Sequence, residues 1–343
     1  MNSSVEIEKF CQKNVSLALH SSYQIGGKAT YFAEPETTEE LLNLLNSCKK
    51  VGMDYYIFGY GTNILFPDQT REDRIFISLK RYLESRLNHG ELFLSAGVPL
   101  SLISLIGVIS NKTDFQFTYL LPGSVGAGIY INAKYYEEQL SDLLDTIYYL
   151  DLAKNRLSLE QISVEQCEFG YKTSTFQKKP WLIVGADFKF TDCSQQEINS
   201  INRLLSKVQD RNLNLSSLAE FKSFFRTELS NLETELDVAC DYLQEVDQFR
   251  EDRNHFKYPC CGSVFKNNHS YGTPTGALID QLGLKGKKHG GAMIAPYHGN
   301  FIINHNQAQA SDVLYLINLI TELIDKRYGF IPEPEVIIVG DKR

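Results

Sequence analysis

Two glycine-rich stretches constrain this chain more than any other feature: GYGTN at 59–63 and LPGSVGAGIYINA at 121–133. Glycine lets backbone N–H groups approach an anion closely, because no Cβ stands in the way. The first stretch closes a helix–strand pattern. ETTEELLNLLNSCKKVG sets Thr37 and Glu40 in a capping-box spacing ahead of Leu41, Leu42, Leu44 and Leu45, and Gly52 ends the pattern. A short apolar strand at 55–58 then runs into the loop. GYGTN matches neither G-x-G-x-x-G opening a helix nor the phosphate loop G-x-x-x-x-G-K-[ST]. A plain tight turn would also account for GYGTN, and a packing face of small residues for the second stretch. Together they point to one extended, multiply charged ligand such as a dinucleotide.

Strands are expected at 74–79 and 91–97, and a helix at 99–110 with Pro99 in its first turn. Strand-like runs at 146–152 and 181–190 flank FGYKTSTF at 169–176. Residues 194–250 contain no glycine or proline and carry a helical pattern, one to three helices in an insertion or a linker-like arm. An amphipathic helix spans 310–329, with Ser311 as N-cap and Gly329 as stop, and EPEVIIVG at 333–340 reads as a strand.

The 343 residues suit two or three domains at roughly 100–200 residues each. A formal net charge of -8 weighs against a nucleic-acid partner, which needs clustered Lys and Arg. The 7 cysteines are odd in number and include no CxxC, poor material for a disulfide framework or a zinc site, so no metal is expected. The N-terminus lacks a basic start followed by an apolar run, and no apolar stretch reaches about 18 residues, so neither a leader nor a membrane partner is expected. A reducing cytoplasm is the simplest location, and a monomer the expected state.

Chemistry can reside in YPCCGSVFKN at 258–267. Phe265 occupies the last glycine position of a G-x-S-x-G elbow, which argues against a triad serine. Ser263 either satisfies a turn or serves as a positioned proton donor to carbon. A vicinal Cys260–Cys261 disulfide would be strained, and no further ligands are spaced for a metal, so both read as packing residues. Glu335 opens an apolar strand, where a carboxylate is either half-buried or on a surface edge. Lys172 alone would read as an ordinary solvated cation.

In this order, SSYQIGGKATYFAEPETTEEL, YIFGYGTNILFPD, LPGSVGAGIYINA, EFGYKTSTF, YPCCGSVFKN, GALIDQLGLKGKKHGGAMIAPYHGNFIINHNQAQASDVL and EPEVIIVG resemble the UDP-N-acetylenolpyruvoylglucosamine reductases (MurB) of peptidoglycan synthesis. The resemblance implies an α+β protein with two FAD-binding subdomains of the vanillyl-alcohol-oxidase (PCMH) type, at 1–80 and 81–193. A helical insertion or linker follows at 194–250, then a substrate-binding α+β domain at 251–343. It implies that FAD contacts Phe58, Gly59, Tyr60, Gly61, Thr62, Asn63, Pro122, Gly123, Ser124, Gly126, Gly128, Ile129 and Asn132. NADPH would reduce FAD, and the flavin would pass hydride to C3 of an enolpyruvyl UDP-sugar. Ser263 would protonate C2, while Glu335 and the residue at 172 stabilise the enolate-like charge. Tyr171, Lys266 and Asn267 are the implied substrate contacts.

The chain also departs from the family pattern. Lys172 stands where the family has arginine, and lysine lacks the bidentate fork. Tyr60 replaces a glycine of GGGSN, Lys134 and Glu137 replace glycines of MNAGAYG, and YPSAGS has become YPCCGS. These departures leave two other readings open: an FAD-binding paralogue acting on another sugar nucleotide or as an oxidase, and a non-catalytic binding protein.

Overall fold

The glycine stretches lie on a scaffold of three α/β units, seen in a computed structural model that describes residues 7–88, 90–190, 193–210 and 213–340. The first unit is a sheet of β1 (Gln12–Ser16), β2 (Lys28–Ala33), β3 (Asp54–Phe58) and β5 (Arg74–Ser78), in the order β1-β2-β5-β3. Helix α1 (Thr38–Val51) joins β2 to β3, and both strands run parallel to β5. Thr37 accepts the N–H of Glu40, but the Glu40 carboxylate takes the N–H of Glu36 at 2.8 Å, one residue before the reciprocal position. Leu41, Leu44, Leu45 and Cys48 are buried on one stripe of α1, each leucine worth roughly 2 kcal/mol. Gly52 ends the helix at φ 69. Past the first glycine stretch lies the short β4 (Ile64–Leu65).

The second unit is antiparallel. Strands β6 (Ser85–Asn88), β7 (Glu91–Ser95), β10 (Leu144–Asp151), β11 (Leu159–Ser163) and β12 (Trp181–Lys189) lie in the order β11-β10-β12-β7-β6, and a hairpin of β8 (Lys134–Tyr135) and β9 (Glu138–Gln139) precedes β10. Helix α2 (Leu100–Ile109) is apolar all round, and Pro99 stands at its N-cap rather than within its first turn. A helix of that kind needs cover on every side. Helices α4 (Gln195–Val208) and α5 (Leu218–Leu236) help provide it, while α6 (Asp241–Asp252) packs on the turn at Thr113–Thr118; α3 (Val125–Ile131) belongs to the second glycine stretch. Ile201, Leu204, Phe221, Phe225, Leu229, Leu243 and Val246 join the core of the second unit, so the segment is not a free arm.

The third unit is the antiparallel sheet β13 (Cys260–Ser263), β16 (Phe301–Asn304), β15 (Ala292–Ile294), β14 (Lys288–His289), with α7 (Thr275–Gln281) and α8 (Ala310–Tyr328). The N-cap of α8 is Gln309, in a capping box with Asp312, and not Ser311. The Ser311 N–H instead bonds to Asp68 Oδ2 at 3.1 Å, and the Ala310 N–H to Asp68 Oδ1 at 2.6 Å, so a carboxylate of the first unit sits where the helix dipole favours it. The strand expected over 333–340 shrinks to β17 (Ile337–Ile338), parallel to β4. Residues 337–340 thus return to the first unit, where Arg74 Nη1 donates to the Gly340 carbonyl at 2.9 Å. Among the described residues no helix is long and apolar enough to cross a membrane.

Candidate active site

Loop 59–63 leaves β3 and is held by its neighbours. Ser78 Oγ donates to the Gly59 carbonyl at 3.2 Å, and the Ser22 N–H to the Gly61 carbonyl at 3.2 Å. Gly61 has φ +65, and a Cβ there would lie 2.1 Å from the His20 carbonyl oxygen. A Cβ on Gly59 would lie 2.5 Å from Ser124 Oγ, and Thr62 Oγ1 donates to the Pro122 carbonyl at 3.4 Å, so the two glycine stretches touch. Phe58 is buried at the end of β3. The Tyr60 side chain is buried in the core of the second unit, which takes its bulk out of the loop. Among the described residues no protein acceptor takes the N–H groups of Tyr60, Gly61, Thr62, Asn63, Gly123 or Ser124. Unclaimed amides converging from two loops suit an anionic group such as a pyrophosphate.

The second stretch divides. Ser124 caps α3 by accepting the Ala127 N–H, and Gly123 adopts φ +137 with nothing closer than 3.5 Å to a Cβ. Gly126 and Gly128 answer to packing instead: their Cβ atoms would strike Ala96 at 2.7 Å and Leu100 at 2.8 Å. Ile129 is wholly buried. Asn132 ends α3 at φ 45, and its side chain is committed to Gln139, Gly170 and Ser141 at 3.1, 3.2 and 3.1 Å.

That last set of bonds positions Lys172. Ser174 Oγ donates to the Tyr130 carbonyl at 2.7 Å, and Gln177 Nε2 to the carbonyls of Tyr130 and Lys172 at 2.8 and 3.0 Å. With its backbone fixed at φ 56, Lys172 extends its ammonium to within 2.7 Å of Glu335 Oε1. The two side chains are only 17% and 16% exposed, well beyond an ordinary surface pair. The Glu335 N–H donates to the Val264 carbonyl at 2.7 Å, and the Glu335 carbonyl accepts from Asn63 Nδ2 at 3.0 Å. Ser263 immediately precedes Val264, half-buried at the end of β13, and among the described residues its hydroxyl has no hydrogen-bond partner. Loop 59–63, Lys172, Ser263 and Glu335 therefore come to one place from distant parts of the chain.

The expected substrate contacts differ in how free they are. Tyr171 is exposed and meets His269 edge-on at 4.5 Å between ring centroids. Lys266 pairs with Glu333 at 2.6 Å, and Asn267 Oδ1 accepts the Thr275 N–H at 3.1 Å, at the start of α7. Cys260 and Cys261 are buried against the first unit. Cys261 Sγ donates to the Ile64 carbonyl at 3.4 Å, and burial pushes the Cys260 thiol up to about 11. Among the described residues no cluster of His, Cys, Asp and Glu suits a metal ion.

Ser22 was not singled out from sequence. Its hydroxyl donates to the Cys260 carbonyl at 2.7 Å, with the Thr62 carbonyl at 3.3 Å, and so ties the third unit to loop 59–63. A serine in SSYQ carries no local signal of that role. A polar cleft of about 580 Å³, lined by Gln24, Asp68, Asn304 and Gln307 among others, shares none of the site residues.

Residues 254–339 match the family model for the C-terminal domain of UDP-N-acetylenolpyruvoylglucosamine reductase. A protein of that name from Treponema denticola is 31% identical over 326 residues, 94% of this chain and 91% of the relative. One from Halalkalibacterium halodurans is 30% identical, covering 96% and 94%. The crystal structure of UDP-N-acetylenolpyruvylglucosamine reductase (MurB) from Thermus caldophilus superposes with a TM-score of 0.64 at 22% identity, over 96% of this chain and 100% of that one, which is a likeness of fold.

Proposed function

Because the chain belongs to the UDP-N-acetylenolpyruvoylglucosamine reductase family of oxidoreductases, we propose that it reduces the enolpyruvyl group of UDP-N-acetylglucosamine enolpyruvate to give UDP-N-acetylmuramate. FAD would be its resident cofactor and NADPH its reductant. The fit to FAD is supported by the unclaimed amides of loop 59–63 and of Gly123 and Ser124, which suit a pyrophosphate. When bound, FAD supplies the hydride relay between NADPH and C3 of the substrate. This chain's residues handle the charge and the proton. Hydride at C3 leaves negative charge spread from C2 into the adjacent carboxylate. The Lys172 ammonium has three N–H donors, and with one on Glu335 the others can meet that carboxylate. Glu335 orients the ammonium, and the Ser263 hydroxyl, without a partner among the described residues, can deliver a proton to C2.

The observation that carries this reading is the 2.7 Å Lys172–Glu335 contact beside the strand that ends in Ser263. The test is NADPH consumption by flavin-loaded protein with and without the enolpyruvyl nucleotide sugar. Substrate-dependent consumption is expected, and its absence in a yellow, flavin-loaded sample would overturn the reading. Lysine at 172 favours one alternative, a related flavoprotein without this substrate. Consumption that ignores the enolpyruvyl compound but draws on O₂ would select it.

A further inference from the structure

We propose that Asn300, the residue before β16, is a positioning residue for the proton transfer, a role that rests on the reaction proposed above. It sets where the Ser263 hydroxyl stands relative to Glu335 and Lys172. The strand ladder alone does not do so. Cys260 pairs with Ile303 and Ser263 with Phe301, so between these pairs β13 carries one residue more than β16. Gly262, inside that interval, has φ +71. Such a bulge loosens the pairing and re-aims the next side chain, so the backbone that follows Ser263 has to hold it.

That backbone is held by Asn300. The Val264 N–H donates to the Asn300 carbonyl at 2.8 Å. Asn300 Oδ1 accepts the Phe265 N–H at 3.0 Å, and Asn300 Nδ2 donates to the Phe265 carbonyl at 2.8 Å. The carboxamide thus does for Phe265 what the backbone of a neighbouring strand would do. Both residues are buried, where a backbone group left without a partner is costly. Asn300 is itself fixed, because a Cβ on Gly276 of α7 would lie 3.3 Å from Asn300 Cβ.

The same stretch is bonded to the segment that carries Glu335. The Glu335 N–H donates to the Val264 carbonyl at 2.7 Å, and the Lys266 N–H to the Glu333 carbonyl at 2.9 Å. The proton donor and the carboxylate that orients Lys172 are therefore tied to one short stretch, and Asn300 anchors it in the third unit. In the step it serves, the enolate's electron pair takes the Ser263 proton as the O–H bond breaks and a C–H bond forms at C2, and solvent reprotonates the alkoxide. A misplacement of about 1 Å can slow such a step on the order of a hundredfold. Flavin reduction by NADPH uses no proton from Ser263, so the two half-reactions should respond differently.

The test uses full-length, flavin-loaded wild type, Asn300→Ala and, from the far end of β16, Asn304→Ala. Asn304 also clamps backbone, the Tyr23 carbonyl at 3.0 Å and the Ala308 N–H at 2.9 Å, away from Ser263. Stopped-flow absorbance follows flavin reduction by NADPH and anaerobic reoxidation by UDP-N-acetylglucosamine enolpyruvate. Asn300→Ala should slow reoxidation about tenfold or more and leave reduction nearly unchanged, while Asn304→Ala alters neither. In a Ser263→Ala background Asn300→Ala should add no further slowing, because it acts through the hydroxyl. Amide hydrogen exchange should quicken at 264–266 in Asn300→Ala and not in Asn304→Ala. If Asn300→Ala does not fold, Asn300→Asp takes its place, since it keeps an acceptor for the Phe265 N–H and loses the donor. Equal slowing of both half-reactions, the same loss with and without Ser263, or unchanged exchange at 264–266 would make Asn300 a packing residue and overturn the proposal. A wild-type flavin that NADPH reduces but the sugar nucleotide does not reoxidise would instead sink the proposed reaction, and this role with it.

Discussion

The two glycine stretches look alike in sequence and answer to different neighbours. In loop 59–63, Gly61 packs on the His20 backbone, Ser22 and Cys261 tie the loop region to the third unit, and Asn63 bonds to Glu335. In 121–133, Gly126 and Gly128 are glycine because Ala96 and Leu100 of their own unit leave no room for a Cβ. The first stretch is a junction between units, and much of the second is core. Glycine content does not distinguish the two cases; what a Cβ would meet, and which amides lack an acceptor, does.

The contrast can be broken in several places. The largest effect is expected at Glu335, which only the first stretch reaches directly. Glu335→Gln keeps the shape but unpairs Lys172, and should lower kcat by roughly a hundredfold or more while flavin affinity holds; steady-state assays and flavin titration check both. Gly61→Ala meets a backbone oxygen in a left-handed conformation, and should destabilise the fold by about 3 kcal/mol or more and weaken flavin binding together. Gly126→Ala should lose about 1–3 kcal/mol in urea denaturation with flavin affinity intact in the folded fraction. Lost flavin binding at unchanged stability would make the second stretch a ligand loop throughout and erase the contrast.

Acid should act on the first stretch alone. His20 is buried beside Lys80, with their nitrogens 2.8 Å apart, and Glu34 lies 3.1 Å from Lys80. Burial, and then Lys80, pull His20 down to about 3. The unfolded chain takes up this proton below about pH 6.5 and the native state resists it, so stability falls toward pH 3 by up to about 1.4 kcal/mol per pH unit. His20→Gln should reduce that slope, the remainder lying with His255 and His298, which burial also pulls down, and an unchanged slope would place the acid sensitivity wholly outside the first stretch. The smallest effect concerns the thiols at the junction. Cys260 and Cys261 should resist iodoacetamide in the native protein and react on unfolding, as mass spectrometry would report; native alkylation would show that the junction opens.

Much of the scaffold was legible because its signals are local. Thr37, Glu40 and Gly52 bound α1 through contacts within a turn or so, and the apolar run at 100–109 announces a buried helix. Ser311 was misread as a cap for the same reason: a serine before an apolar run fits the local rule, while the cap that forms uses Gln309 and Asp312, with Asp68 arriving from the first unit. Ser22 carries no local signal because its partners are the carbonyls of Thr62 and Cys260.

By itself, the sequence determined the element types, the two glycine stretches, and the residues at 172, 263 and 335 as the ones to watch. The elements and the glycine stretches follow from periodicity, capping and residue chemistry, which act over a few residues at a time, while the residues at 172, 263 and 335 stand out only through the resemblance to the family. Only the tertiary structure decided that Lys172 pairs with Glu335, that the Ser263 hydroxyl has no hydrogen-bond partner among the described residues, and that Gly126 and Gly128 are held by packing. Whether a charge is paired or a Cβ has room depends on groups brought close from far along the chain, and no local pattern encodes that distance.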